Sequence, residues 1–220
     1  MAKPVVILGH GGHARVVLDV LRLLGREIAG VLTPDLPPGA RWFEIPVLGD
    51  DRWLGCAEAD GYAYVLGIGA LPHRPGVRTR LFCQLHARGF DLPALVHPSA
   101  VVAADVPMGQ GVQIMAGAVV QPGCEIGDDA LLNTRVSVDH HCRIGAHAHL
   151  APGALLCGEV RVGEGAFIGA GAVIIQGLSV GPGAQVAAGA TVIRHIAAGI
   201  RHIPGHPPIA IEQQHSGVRA

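Results

Sequence analysis

Aromatic and charged side chains are scarce in this sequence: 4% of the residues are aromatic and 15% are charged. The formal charge of -1 provides no field that would attract a nucleic acid or an anionic membrane, so we expect neither as a partner. No apolar run approaches the roughly 20 residues of a membrane-spanning helix, and the first residues lack the charged, apolar and small segments of a signal peptide. We therefore expect a cytoplasmic protein without membrane insertion.

Paired cysteines are missing as well. The sequence has 5 cysteines, an odd number without any C-x-x-C pair, which argues against a disulfide framework and favours free thiols in a reducing compartment. Glycine and proline, in contrast, number 32 and 16 in a chain of 220 residues. This composition is typical of a core of small aliphatic side chains in a chain with many tight corners.

A repeat of six residues dominates the C-terminal half. Every sixth residue from Val96 to Val192 is aliphatic or methionine, and the residue four places after each is small or aliphatic. A helix face returns about every 3.6 residues and a strand alternates about every 2, so neither explains this period. Short strands joined by corners do explain it, and hexapeptide repeats indicate a parallel β-helix.

Three hexads make one triangular coil, so residues 18 apart should stack at the sheet spacing of about 4.8 Å. This rule predicts that Cys124 and Cys142 stack inside the helix as unreactive core residues. Glycine is frequent at the corner position that needs positive φ. Between Gly123 and Gly153 that position is occupied by Asp129, Arg135, His141 and His147.

The first 94 residues have an α/β pattern. "PVVILG", "IAGVL" and "YAYVLGIG" are apolar runs of strand length, while "ARVVLDVLRLLG" and "GVRTRLFCQLHARG" have helical spacing and end at Gly25 and Gly89. Gly9-x-Gly11-x-x-Ala14 matches the dinucleotide fingerprint between a strand and a helix. A glycine turn that only packs the helix on the strand is the alternative.

Two features argue against a nicotinamide enzyme. The segment is too short for both halves of a doubly wound sheet, and no separate catalytic domain follows it. One nucleotide therefore fits better than two. Asp35, just beyond the second strand, is placed to meet a ribose hydroxyl or a base, or is a solvated turn residue.

The ordered motifs resemble one family over nearly the whole chain. "GHGGHARVVLDVL" opens the α/β segment, "HPSA" opens the repeats, and "VDHHC", "HLAPGA" and "FIGAGAVI" follow. This set resembles the hexapeptide-repeat nucleotide-sugar acetyltransferases of the bacterial bacillosamine, perosamine and sialic acid pathways. The resemblance implies an α/β half-Rossmann domain (residues 1–94) followed by an all-β left-handed parallel β-helix (residues 95–220). It also implies a homotrimer with active sites between subunits.

The activity that the resemblance implies is acetyl transfer. Acetyl-CoA, as co-substrate, would acetylate the amino group of a sugar carried by UDP or GDP, or a sugar hydroxyl in the sialic acid branch. His140, the histidine after Val-Asp, corresponds to the general base. In several relatives an acidic residue follows it and orients the ring, whereas this sequence has His141 there.

The binding residues are carried over in the same way. The glycine loop, made of Gly9, Gly11, Gly12 and His13, corresponds to the diphosphate site, with Asp35 beside the nucleoside. His149, in the "HLAPG" block, corresponds to a position near the acetyl group or the CoA arm. We assign Gly158, Ala170 and Ala188 to the same CoA-binding site.

Histidine suits this reaction because an amine that attacks a thioester must lose a proton, and a reference pKa of about 6.5 allows histidine to take it at neutral pH. Gly158 lies 18 residues beyond His140, so we expect it on the next coil. It should leave an open notch beside the base, with a backbone N–H facing the oxyanion. No cysteine or serine stands beside His140 as an obvious nucleophile, which favours direct transfer.

Alternative roles stay open for several polar residues. His141 and His147 are candidate site residues or simple corner residues, since histidine tolerates positive φ. Asn133 binds the sugar or forms a ladder within the sheet. Arg74 and Arg78 reach a phosphate or are surface charges of a helix.

Other functions also remain open. An O-acetyltransferase would share every motif. A nicotinamide oxidoreductase would bind NADH at the glycine loop, and a non-catalytic sugar-nucleotide binder would tolerate His140→Ala. The γ-class carbonic anhydrases resemble the predicted fold and bind zinc, but the histidine pair five residues apart that they use is missing between His140 and His149, so we expect no metal.

Overall fold

The computed structural model describes residues 2–70 and 76–211. The α/β segment comes first. Its elements are β1 (Val5–Leu8), α1 (Gly12–Leu23), β2 (Ile28–Leu32), β3 (Arg41–Trp42), β4 (Ile45–Gly49), two 3₁₀ turns (Asp51–Gly55 and Ala57–Gly61), β5 (Ala63–Leu66) and α2 (Val77–Ala87). The strand order is β3-β4-β2-β1-β5, and every pair is parallel except β3–β4. The half-Rossmann prediction is confirmed.

The β3–β4 hairpin is absent from the sequence-based prediction. Phe43 and Glu44 form its turn with φ values of 46° and 67°. A two-residue turn with two positive φ values normally carries asparagine or glycine, and the lack of that signature explains why the sequence does not reveal the hairpin.

The parallel β-helix has three faces, each a stack of short strands. The first face contains β6 (Leu95–Val96), β8 (Gln113–Ile114), β11 (Leu131–Leu132), β14 (His149–Leu150), β17 (Phe167–Ile168), β20 (Gln185–Val186), β22 (Ile200–His202) and β23 (Ile209–Ala210). The second face contains β7 (Val101–Val102), β9 (Val119–Val120), β12 (Ser137–Val138), β15 (Leu155–Leu156), β18 (Val173–Ile174) and β21 (Thr191–Val192). The third face contains β10 (Glu125–Ile126), β13 (Arg143–Ile144), β16 (Arg161–Val162) and β19 (Ser179–Val180).

The register confirms the coil of three hexads. Val120 pairs with Val138 and Ile126 with Ile144, each 18 residues apart in a left-handed parallel β-helix. The last turn is shorter, because Gln185 pairs with Arg201, 16 residues further on. The first coil begins at β6, and the predicted domain boundary between residues 94 and 95 stays a prediction.

The repeated aliphatic and small residues fill the interior of the prism. Cys124 and Cys142 are fully buried and stack as predicted, with their thiols donating to backbone carbonyls. The corner position has positive φ where the repeat lacks glycine. Asp129, Arg135, His141 and His147 have φ between 55° and 59°, a conformation that costs free energy for residues other than glycine.

The α/β segment packs against the first face. Met115 and Leu131, which point outward from the β-helix, join the apolar cluster formed by β1, β2 and α1. Phe82 of α2 contacts the ring of His147 edge-on, with centroids 5.4 Å apart. Among the residues that the structure describes, no helix is long and apolar enough to cross a membrane.

Candidate active site

His140 lies at the corner between the second and third faces, which we call the second corner (residues 139–142 in its coil). The Asp139 carboxylate accepts the His140 backbone N–H at 2.8 Å and so holds this corner. The imidazole is exposed and lies over Gly158 of the next coil. A Cβ on Gly158 would come within 2.5 Å of His140 Cε1, so only glycine leaves room for this ring position.

His141 contacts the same ring. The Nδ1 atoms of His140 and His141 are 3.0 Å apart, and the two rings meet at an interplanar angle of 79°. At this distance one nitrogen carries the proton and the other accepts it. When His140 is the donor, its Nε2 keeps a lone pair, which is the tautomer that a general base needs.

The surroundings of Gly158 differ in one respect from the open notch that the sequence predicts. The expected neighbour is present, but the imidazole of His140 itself covers Gly158, which is buried. The Gly158 N–H has no acceptor among the residues that the structure describes. The notch is therefore filled by the ring in this structure, and a thioester reaches the Gly158 N–H only when the ring moves aside.

The Cys142 thiol is not activated. Cys142 follows His141 but points inward, donates its S–H to the Cys157 carbonyl at 3.2 Å, and burial raises its pKa to about 12. A thiol that stays protonated is a poor nucleophile. Direct transfer is therefore favoured over a covalent intermediate on Cys142.

The glycine loop connects β1 to α1. Gly9 has a φ of 95°, and a Cβ there would meet Ile68 at 2.8 Å, so the tight turn requires glycine. Gly11 and Gly12 are exposed, with open space where a Cβ would be. Among the described residues no side chain caps the N-terminus of α1, whose free N–H groups and positive dipole end suit a diphosphate.

A groove of about 520 Å³ lies beyond the ends of β2 and β4, lined in part by Asp35, Arg52 and Trp53. His10 Nδ1 lies 2.8 Å from Thr33 Oγ1 and 3.6 Å from Asp35 Oδ2. The sequence reading singled out Asp35 but missed His10, Thr33 and Trp53. The position of His10 directly after Gly9, within the glycine loop, was the signal that could have identified it.

His13 turns away from the loop. Its Nε2 donates to Gln113 Oε1 of β8 at 2.7 Å. Burial, followed by the charge of Arg78, lowers the pKa of His13 to about 4, although the bond to Gln113 raises it. The ring is neutral at pH 7 and brings no positive charge to a diphosphate, so its assigned substrate contact stays a prediction.

His149 also faces the α/β segment. Its Nδ1 donates to the Ala70 carbonyl at 2.7 Å, and Asn133 Nδ2 lies 3.4 Å from its Nε2. Burial lowers the pKa of His149 to about 4, so the ring is neutral. Within one chain this ring contacts the loop after β5 and is 7% exposed. Its role in binding CoA stays a prediction, as does sugar binding by Asn133.

Arg78 is not a surface charge. It is buried and paired with Asp129 of the β-helix, with Arg78 Nη2 2.9 Å from Asp129 Oδ1. Arg74 lies outside the described residues. Arg78 is therefore not available as a direct phosphate ligand.

The candidate residues occupy different corners of one chain. Asn133, Ala170 and Ala188 lie at the corner between the first and second faces, and both alanines are exposed. His140 and Gly158 lie at the second corner. The structure therefore brings Gly158 to His140, but not the glycine loop or the two alanines.

The described ranges hold no group of three or more histidine, cysteine, aspartate or glutamate side chains suited to a metal ion, and the expectation of no metal stays a prediction. His147 Nδ1 pairs with Asp129 Oδ2 at 3.0 Å instead.

Comparison with protein-family models gives two matches. The model of the PglD N-terminal domain matches residues 4–85, and the model of the hexapeptide repeat of succinyl-transferase matches residues 159–194. A search of curated protein sequences gives no match.

Solved structures are similar over almost the full length. A histidine-to-asparagine variant of perosamine N-acetyltransferase from Caulobacter crescentus, in complex with CoA and GDP-perosamine, is 38% identical, with a TM-score of 0.85 over 96% of this chain and 98% of that one. The acetyltransferase domain of PglB from Neisseria gonorrhoeae FA1090, in complex with acetyl coenzyme A, is 32% identical, with a TM-score of 0.83 over 96% and 100%. WeeI from Acinetobacter baumannii AYE is 25% identical, with a TM-score of 0.75 over 94% and 99%.

Proposed function

The chain belongs to the hexapeptide-repeat family of nucleotide-sugar acetyltransferases, and from this premise we infer that it is an acetyl-CoA-dependent N-acetyltransferase acting on a nucleotide-linked amino sugar. The observation that carries the assignment of its base is the exposed His140 imidazole, paired through Nδ1 with His141 at the second corner.

His140 acts as the general base of acetyl transfer in the tautomer that carries its proton on Nδ1. The sugar amine attacks the thioester carbonyl and forms the new C–N bond, the C–S bond breaks, and CoA leaves as the thiolate. His140 Nε2 takes the proton that the amine loses and returns it to the leaving sulfur. While His140 is protonated, its Nδ1–H donates to His141 Nδ1, which stabilises the imidazolium. The Gly158 N–H, which has no acceptor among the described residues, becomes the candidate donor to the oxyanion when the His140 ring moves off it.

The nucleotide sugar is held by the α/β segment. Its diphosphate lies against the exposed backbone of Gly11 and Gly12 at the N-terminus of α1. The nucleoside extends into the groove beside Asp35. The side chains of His10 and Thr33 contact each other next to the Asp35 carboxylate. UDP and GDP sugars are both candidates.

A homotrimer is the assembly that completes the site. The outward positions of the second face form a mainly apolar column: Val101 and Leu155 are exposed, Val119 and Val173 are half-buried, and Ser137 and Thr191 are its polar members. Such a column is typical of a subunit interface. Packing through it would bring His140 of one subunit toward the glycine loop and the Ala170 corner of another. We assign CoA to the groove between these two subunits.

A cytoplasmic location also belongs to the proposal, because five free cysteines fit a reducing compartment and acetyl-CoA is available there.

The decisive experiment is thiol release from acetyl-CoA with a panel of UDP- and GDP-linked 4-amino sugars. The proposal expects one sugar to be turned over and to gain one acetyl group on nitrogen, identified by mass spectrometry and NMR. Acetylation at oxygen would favour the sialic acid type of reaction. No turnover of any nucleotide-linked amino sugar would contradict the proposal.

A further inference from the structure

A buried ion pair crosses the contact between α2 and the β-helix. Arg78, in the first turn of α2, is 3% exposed, and Asp129, at the corner between the third and first faces, is 1% exposed. The separation of 2.9 Å between Arg78 Nη2 and Asp129 Oδ1 is short enough for an ion pair, but the atoms are not aligned for a hydrogen bond. Arg78 Nε has no acceptor among the described residues.

This pair is a costly way to stabilise a fold. Two charges lose their hydration, and replacing such a pair by apolar side chains is often neutral or stabilising. Asp129 adds strain, since its φ of 55° is in the left-handed region. Desolvation lowers the pKa of Arg78, although Asp129 raises it. A feature this costly points to a role other than stability.

The contacts of Arg78 lead to the phosphate side of the candidate site. Its Nη1 donates to the Ile68 carbonyl at 2.8 Å and lies 3.3 Å from Gln113 Oε1. The Gln113 amide donates to the Leu66 carbonyl at 2.8 Å, and its Oε1 accepts from His13 at 2.7 Å.

These bonds fix two segments that flank the glycine loop. Leu66 is the last residue of β5 and Ile68 lies just beyond it, and a Cβ on Gly67 between them would meet Ala14 of α1 at 2.6 Å. His13 is the second residue of α1. The carbonyls at the end of β5 and just beyond it, and the His13 ring of α1, are therefore tied to Gln113 of β8 and to Arg78, which pairs with Asp129.

We propose that Arg78, Asp129 and Gln113 are positioning residues: their buried network holds the N-terminus of α1 and the segment after β5 at a fixed place on the β-helix, and thereby sets the affinity for the diphosphate of the substrate. This inference rests on the proposed function. Arg78 contributes without touching the phosphates, because Asp129 and Gln113 enclose its guanidinium group.

The competing roles predict different behaviour. A direct phosphate contact by Arg78 would leave Asp129 without influence on affinity. A purely structural pair would affect affinity only as far as it affects folding. The charge pair can be removed as a whole, because asparagine tolerates the left-handed conformation of residue 129 and still accepts from His147.

The experiment compares Arg78→Met, Asp129→Asn and the double variant in the full-length protein, with Arg80→Met, an exposed arginine of the same helix, as the control. Calorimetry measures binding of UDP and GDP and, separately, of acetyl-CoA, and thermal unfolding is recorded in parallel. Each single variant should melt at a lower temperature than wild type and bind the preferred nucleoside diphosphate about tenfold to a hundredfold more weakly.

The double variant separates the roles. Its melting temperature should recover toward wild type while its nucleotide affinity stays low and its acetyl-CoA affinity is unchanged. Arg78→Lys should not restore affinity, because an ammonium cannot reproduce the guanidinium fork. Normal nucleotide binding by the double variant, or by Asp129→Asn alone, would overturn the inference while the proposed function stood. Failure of the wild-type protein to bind either nucleotide would overturn both.

Discussion

The Nδ1 atoms of His140 and His141 lie 3.0 Å apart, so a hydrogen bond between them requires one ring to donate and the other to accept. An acidic residue at position 141 would orient the His140 ring through its negative charge. His141 can orient that ring only when its Nδ1 is unprotonated and accepts a hydrogen bond. This relationship makes the identity of residue 141 testable.

His141→Phe keeps a ring at the corner but removes the acceptor. We expect kcat to fall by at least about tenfold, because the tautomer of His140 with a free Nε2 loses its preference. The KM for the nucleotide sugar should stay within about twofold of wild type, since residue 141 is not assigned to substrate binding. His141→Asn, which keeps an acceptor and tolerates the φ of 58°, should retain most of the activity. Equal activity of His141→Phe and wild type would refute the orienting role.

Gly158 provides a steric test of the same base. A methyl group in Gly158→Ala would meet His140 Cε1 at 2.5 Å and displace the ring, and Gly158→Leu would displace it further. Turnover should drop in the order wild type, Ala, Leu, while nucleotide-sugar binding stays unchanged. Gly55→Ala is the control, because a Cβ there meets nothing within 4 Å. Full activity of Gly158→Leu would rule out the site as described.

The neutral buried histidines predict a loss of stability in acid. The pKa values of His13 and His149 fall to about 4 in the folded protein. Between pH 6.5 and 4 these two rings are therefore protonated in the unfolded chain but stay neutral in the native state. The free energy of unfolding is highest above pH 6.5 and decreases as the pH falls toward 4, by up to roughly 3 kcal/mol for each ring. Melting temperatures recorded between pH 7.5 and 4.5 measure this.

The matched variant is His149→Gln, which removes one of the two titrating rings. Its melting temperature should depend less steeply on pH than that of wild type. A wild-type melting temperature that stays flat down to pH 4.5 would contradict the assignment of neutral rings.

The apolar column of the second face predicts the oligomer. Leu155→Glu places a charge in the middle of that column, so we expect the trimer to dissociate and activity to be lost with it. Light scattering coupled to size exclusion gives the mass. Arg161→Glu, on the third face, is the control and should leave the trimer intact. A wild-type monomer with full activity would exclude sites between subunits.

The sequence predicted those features that depend on the repeat alone. A period of six determines which residues stack, and this is why the pairs Cys124 with Cys142 and His140 with Gly158 are adjacent in the structure. The positive φ of His141 also follows from its place in the hexad.

Contacts between the α/β segment and the β-helix could not be predicted, because no repeat determines how the two segments are packed together. His149 and Ala70 are 79 residues apart, and Gln113 and His13 are 100 apart. For the same reason Arg78, read as a surface or phosphate-binding charge, turned out to be buried against Asp129. The β3–β4 hairpin was missed because Phe43 and Glu44 do not resemble turn residues.

The most direct test of the account is the kcat of His140→Asn with acetyl-CoA and the preferred nucleotide-linked amino sugar, alongside the affinity for that sugar. We predict a loss in kcat of roughly 100-fold to 10,000-fold with nearly unchanged sugar affinity, because the variant keeps the corner but has no base. An unchanged kcat would contradict the account, since the proton of the amine would then be leaving by another route.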